Sequence, residues 1–376
     1  MSAGYIVAAK RSAVAPRDGA FRDIEAADLA SAVIRAVLAE ARLAPADVDD
    51  CILGNALYGG GNLARVAALA AGVSERAPAM TIDTQCCAGL DAILLAAGRI
   101  ASGDAHVVVA GGAESFSRAP IRMRRPKQPG ESPQVYARPP FTPWADRDPD
   151  MIAAAAELAA SVGITRARQE AFAIESHRKA IESSKNAAEI VEIAGLAHDS
   201  FTRPLSNVFC ARLPVLAGDR MHGLTAATTA VEADAAAIVL VVSEKIAAQI
   251  HGARAVRVVA GLRRGGDPCM PGLAPIAAAR ELLNGSGLDA ERIEVVELME
   301  AFAAQAIACA EGVGLAQNRL NRGGGALARG HPIGASGAIL TVRLWHELQK
   351  EKDGALGFAT IAAAGGLASA VLLQAA

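Results

Sequence analysis

The sequence predicts an α/β protein whose sheets are covered by helices on both faces, and three observations support this. Short Val/Ile-rich runs alternate with long alanine-rich segments of helical period. Hydrophobic residues make up 52% of the 376, enough to bury a large core in two or more packed units. Two distant stretches also share a design: "VVVAGGAES" matches "FATIAAAGGLASAVLL", and "QCCAGLDAILLAAGRI" matches "GHPIGASGAILTVRLWHEL". A duplicated half is the simple reading of that match.

The elements follow in chain order. "YIVAAKRS" reads as a short strand, and Asp28 to Leu43 carries apolar residues at helical spacing. "AGLDAILLAAGRIASG" is a helix stopped by Gly103, and "HVVVAGGAES" is a buried strand running into a glycine turn. From Ala119 the chain becomes rich in Pro and charge without a clear period, which marks a long excursion within which helices resume. Strands return at "AAAIVLVVSE", and a second unit begins near Ala255, where "IEVVELMEAFAAQ" passes from strand to helix. The run from Gly354 reads as two buried strands and a turn. The expected organisation is a first half over 1–118, to which the chain returns at about 222–254, an inserted loop domain over 119–221, and a second half over 255–376.

Composition excludes several classes. A net charge of -2 with 3% aromatic residues offers neither a basic surface nor stacking platforms for nucleic acid. The apolar stretch Ala235 to Val242 stops far short of the ~20 residues that cross a bilayer. The N-terminus lacks the charged, apolar and cleavage regions of a signal peptide, so a cytoplasmic enzyme is expected. Six cysteines are too sparse for a disulfide scaffold, and none is spaced as a zinc knuckle. Reduced thiols and no metal site are expected.

Cys86 and Cys87 stand where an apolar run gives way to the Gly103-capped helix. A helix N-terminus there stabilises a thiolate, lowering a pKa otherwise about 8.5. On that reasoning a haloacetamide labels the reactive cysteine first. The alternative for either thiol is that of a small buried hydrophobe. "GGGALARG" has the wrong spacing for a dinucleotide loop.

Six stretches in order, "YIVAAKRSAV", "GGGNLARVAAL", "MTIDTQCCAGLDA", "AGGAESFSRAP", "ELMEAFAAQ" and "GGGALARGHPIGASGA", resemble the thiolase family over nearly the whole chain. The poorest match is Ile121 to Asp148. The resemblance implies two similar halves in a layered α-β-α-β-α arrangement, with an inserted loop domain over the coenzyme's approach. It implies Cys86 as the nucleophile that takes an acyl group from a coenzyme A thioester, and His331 as the base that deprotonates it, an activated thiol pair. The oxyanion donors would be the backbone N–H groups of Cys86 and Ala364. Substrate and coenzyme A contacts fall on Met151, Arg203, Ala226, Ala230 and Phe302, with Arg203 on the adenine side. The basic run Arg122, Arg124, Arg125 and Lys127 is a further candidate for the phosphates. No cofactor is implied beyond the coenzyme A thioester as substrate, and the partner expected is a second copy of the chain, as a dimer or a tetramer.

Departures from the family pattern are equally informative. Met299 stands where an asparagine holds a water towards the substrate carbonyl, and it cannot donate that hydrogen bond. Ala362 stands where a second reactive cysteine serves as acid and base, and Ala230 replaces a serine. Glu300, beside the altered motif, reads as a structural carboxylate. Acyl transfer to Cys86 keeps its groups, whereas carbon–carbon cleavage or condensation loses two. The function implied is thiolase-type acyl transfer with an impaired carbon–carbon step. The alternatives are a degenerate subunit that binds acyl-CoA without turnover and, ranked last, a decarboxylating ketoacyl synthase.

Overall fold

The apolar runs become strands of one mixed sheet in the computed structural model, which describes residues 4–57, 59–184, 188–250 and 254–376. Its main path runs Val295–Leu298, Leu356–Ala363, Leu367–Ala375, Val256–Gly265, Gly4–Ser12, Ala233–Ser243, Val107–Glu114, Asp50–Gly54 and Ala79–Ile82. Tyr5 and Ile6 pair antiparallel with Arg257 and Val256, and this seam joins two half-sheets. Outward from the seam each half runs through two antiparallel pairings and then turns parallel, with two parallel pairings in the first half and one in the second. Val107–Glu114 and Leu356–Ala363 occupy equivalent places, as their shared sequence design led one to expect.

Alternation along the strands decides which layer each side chain enters. Val108 and Ala110 face the central helices, whereas Val107 and Val109 face Ala26–Ala41 and Leu63–Ala70 on the outer side. In the second half Phe358 and Leu372 pack outward against Ala274–Gly285 and Ala303–Val313. Between the half-sheets lie the helices Ala88–Ser102 and Ile333–Leu348, the second buried nearly all round. Such a helix must be apolar on every face, which explains why "GAILTVRLW" shows a weak amphipathic stripe.

The two central helices approach closely because glycine lines their contact. A side-chain carbon on Gly337 would stand 2.6 Å from the Leu90 nitrogen, and one on Gly89 2.8 Å from the Ala338 nitrogen. Both helices begin at the same end of the molecule, so the segments preceding them meet there. Over that end lie Met151–Ser161 and Arg166–Ser183 of the inserted region, which also holds a small ribbon of Met123–Arg124 and Gln134–Val135.

Candidate active site

The loop from Ala79–Ile82 into the first central helix separates the two cysteines. Gln85 adopts a left-handed backbone at φ 54°, held by its N–H on Asp83 Oδ1 at 2.9 Å. That turn directs Cys86 into a cavity of about 270 Å³ and sends Cys87 inward, where its thiol meets the Ile361 carbonyl at 3.6 Å. Cys87 is thus the small buried hydrophobe and Cys86 the cysteine available for chemistry.

His331 precedes the second central helix, on a loop fixed by its own N–H to the Val231 carbonyl at 2.7 Å. Its Nε2 lies 3.2 Å from Cys86 Sγ, and its Nδ1 lies 2.6 Å from Ser336 Oγ. Ser336 gives its single proton to the Pro332 carbonyl at 2.9 Å, so its oxygen must accept from the ring. The proton is therefore assigned to Nδ1, and Nε2 keeps the lone pair that faces the thiol. Ser336 was not singled out from sequence, although the i, i+5 spacing within "HPIGAS" was its signal.

Electrostatics correct one expectation from sequence. Burial pushes the Cys86 thiol up to about 12, against the pull of the Ala364 and Cys86 backbone N–H groups. Burial also pushes His331 down to about 4. The helix itself starts at Ala88, two residues beyond Cys86. The resting pair is therefore a neutral thiol beside a neutral imidazole rather than an enriched thiolate. The same two N–H groups that favour a negative Sγ are those expected to serve a tetrahedral oxyanion.

Beneath the pair, Glu114 ties the segments together, accepting from Asn55 Nδ2 at 2.6 Å and from the N–H groups of Ala56 at 3.0 Å and Gly334 at 2.9 Å. Burial raises it to about 7 against those donors.

Most of the other expected positions line the cavity. Met151, Ala230, Phe302, Ala362 and Ala364 do so, together with Phe116, Phe141 and Leu158. Ala230 and Phe302 are brought together by the Ala230 N–H on the Ala301 carbonyl at 3.0 Å. Ala226 does not line it: the Thr225–Thr228 turn leaves Ala226 exposed to solvent. Arg203 does not line it either; its guanidinium stacks on Phe201 at 4.0 Å and bonds the Phe201 carbonyl. Arg122 bonds the Ala56 carbonyl, while Arg124, Arg125 and Lys127 are exposed. Met299 is buried in the core beside a small void it shares with Ser336 and Ile339, and it is not among the residues of the cavity wall. Glu300 is a buried structural carboxylate, accepting from Ser176 Oγ and Asn321 Nδ2. Glu232, which sequence reasoning passed over, also lines the cavity.

The family model described as "Thiolase, N-terminal domain" matches residues 4–245, and that described as "Thiolase, C-terminal domain" matches 253–375. A Staphylococcus aureus protein named as an acetyl-CoA C-acetyltransferase, VraB, is 35% identical, covering 99% of each chain. A Bacillus subtilis protein of the same designation, YhfS, is 36% identical over 98% of each. Among solved structures, Acat5 thiolase from Ascaris suum in complex with coenzyme A superposes with a TM-score of 0.91 at 30% identity over 100% of both chains. The Bacillus anthracis acetyl-CoA acetyltransferase superposes with a TM-score of 0.90 at 29% identity, covering 100% of this chain and 99% of its own.

Proposed function

The chain belongs to the thiolase family, and from that premise we propose that it carries an acyl group from acyl-CoA as a thioester on Cys86 and passes it on. The acceptor is coenzyme A or the carbon of a second acyl-CoA. The observation that carries the reading is the 3.2 Å approach of His331 Nε2 to Cys86 Sγ, with Ser336 holding the ring in the tautomer that can accept the thiol proton. The names of the two bacterial relatives and the coenzyme A complex of the Ascaris thiolase point the same way. No cofactor enters this scheme, and the coenzyme A thioester is itself the substrate. The working assembly is taken to be a homodimer, which light scattering at micromolar concentration checks.

The two half-reactions are not equally equipped. Acylation needs the thiol, His331 and backbone donors. The carbon–carbon step also needs an acid or base and a stabilised enolate, and Ala362 supplies neither. Cleavage of acetoacetyl-CoA is therefore slower than acylation of Cys86. Intact-protein mass spectrometry after incubation with a panel of acyl-CoA thioesters tests the first half and reads chain-length preference. A mass increase that Cys86→Ser abolishes and Cys87→Ser retains supports the assignment. Absence of any adduct favours the second reading, a subunit that binds acyl-CoA without turnover, which Ala362 and Met299 recommend.

A further inference from the structure

We propose that Glu232 is the proton acceptor and donor of the carbon–carbon half-reaction, the task left open by Ala362; this rests on the acyl-Cys86 reading above. Among the described residues, the ionisable side chains lining the active-site cavity are Cys86, His331 and Glu232. The first two are committed to each other, and Ala362, Ala363 and Ala364 carry no exchangeable side-chain proton. Glu232 is the group that remains.

Its placement beside the histidine follows from the backbone. Glu232 and His331 are partners in an isolated parallel bridge, closed by the His331 N–H on the Val231 carbonyl at 2.7 Å. Partners across such a bridge stand about 5 Å apart and project their side chains to the same face. Glu232 thus stands beside His331 at the wall of the cavity that receives the acyl group, with its carboxylate turned to Arg17 in the resting protein. Its one side-chain partner is Arg17, whose Nη1 donates to Oε2 at 2.9 Å. With the Glu232 side chain 54% exposed, the carboxylate has room to turn about that contact.

In the condensing direction the Glu232 carboxylate takes a proton from the carbon next to the thioester carbonyl of the second acyl-CoA. The C–H electron pair moves into an enolate, which attacks the acyl-Cys86 carbonyl. Collapse of the tetrahedral adduct closes the carbon–carbon bond and expels the Cys86 thiolate, and the proton held on Glu232 passes to that thiolate. Cleavage is the reverse. A carboxylate is intrinsically a weaker base than a thiolate, which accounts for a carbon–carbon step slower than acylation.

Three measurements on the whole protein test this: acylation of Cys86 by acetyl-CoA, uptake of deuterium from D2O into the acetyl methyl group, and thiolysis of acetoacetyl-CoA. The parent should acylate, exchange and cleave above the rates without enzyme. Glu232→Gln should lower exchange and thiolysis by at least ~10²-fold while acylation changes by less than about tenfold. Glu232→Asp should retain part of the exchange, and Ala362→Cys in the Glu232→Gln background should restore it. Exchange in Glu232→Gln equal to the parent's overturns the proposal. So does an equal loss of acylation and exchange, which marks a structural role, or an acylated parent that never exchanges. A parent that fails to acylate removes the Cys86 reading and this one with it.

Discussion

At the scale of single residues, burial keeps the proton of the resting pair on the Cys86 thiol. With the thiol at about 12 and the imidazole at about 4, both groups are neutral between roughly pH 5 and 11. If His331 is the base proposed above, acylation requires its unprotonated form, and the rate falls only as pH drops through the lowered value. The expected outcome is no loss of acylation rate between pH 8 and 5.5 in rapid-quench mass spectrometry. A midpoint near 6.5 would show that burial does not depress the imidazole. Ser336→Ala removes the hydrogen bond that selects the tautomer, worth about 0.5–1.5 kcal/mol, and should slow acylation by roughly two- to twelvefold. Iodoacetamide should modify Cys86 and half-buried Cys269, with Cys51, Cys87, Cys210 and Cys309 shielded, and prior acylation should protect Cys86 alone.

At the scale of elements, two buried helices whose first turns sit side by side hold Cys86 and His331 together on the segments that precede them. That proximity depends on the absence of side chains at their crossing. At the start of Ile333–Leu348, an added carbon at Gly334 would likewise stand 2.6 Å from the Cα of Asn55, just after the strand Asp50–Gly54, so something must shift. Gly334→Ala is therefore expected to lose at least about 1–3 kcal/mol of stability and to impair acylation as the His331 loop moves. Gly98, in the interior of Ala88–Ser102, has nothing within 4 Å of the same added carbon. Gly98→Ala should gain up to about 1 kcal/mol with acylation intact. Urea midpoints of the two variants provide the comparison, and similar effects from both would refute the packing argument.

At the scale of the whole molecule, a buried ion cluster fastens the inserted region to both halves. Arg11 meets Glu189 at 2.6 Å and Asp199 at 2.7 Å, Arg343 meets Glu189 at 2.6 Å and Glu347 at 2.8 Å, and Arg329 meets Asp199 at 3.1 Å. Arg329 lies two residues before His331 and also holds the Gly323 and Gly324 carbonyls, so the cluster reaches the site. Asp199→Asn leaves buried guanidinium charge without its partner and should cost about 3–5 kcal/mol by chemical denaturation. Burial opposes ionisation of Glu189 and Asp199, but the neighbouring arginine charges outweigh it and hold both below the usual carboxylate range. Their contribution is present above the unfolded pKa near 4 and is lost as pH falls through the lowered values. Glu297 behaves oppositely: burial outweighs Arg343 and raises it to about 8, so the folded state holds its proton more tightly. Its contribution declines as pH rises from about 4.5 to 8, and Glu297→Gln should be more stable than the parent at pH 8.5 and should flatten that part of the pH profile.

Much of this was legible in the chain itself. The α/β class, the Gly103 stop, the buried strand from Val107 and the paired strands after Gly354 follow from local period and turn chemistry, which need no knowledge of distant neighbours. Cys86 and His331 were legible through their motifs, and Met299 and Ala362 as departures from them. Tertiary structure alone decided the rest. It turned Cys86 outward and Cys87 inward through the left-handed Gln85. It set Met299 beside a core void with Ser336 rather than in the cavity wall, and carried Arg203 onto Phe201. It also placed Glu232, 99 positions earlier in the chain, beside His331. The reason is physical: helix and strand formation depend on residues a few positions apart. The direction of one side chain, its solvation and its proton depend on partners that only the closed sheet and the crossed helices bring near.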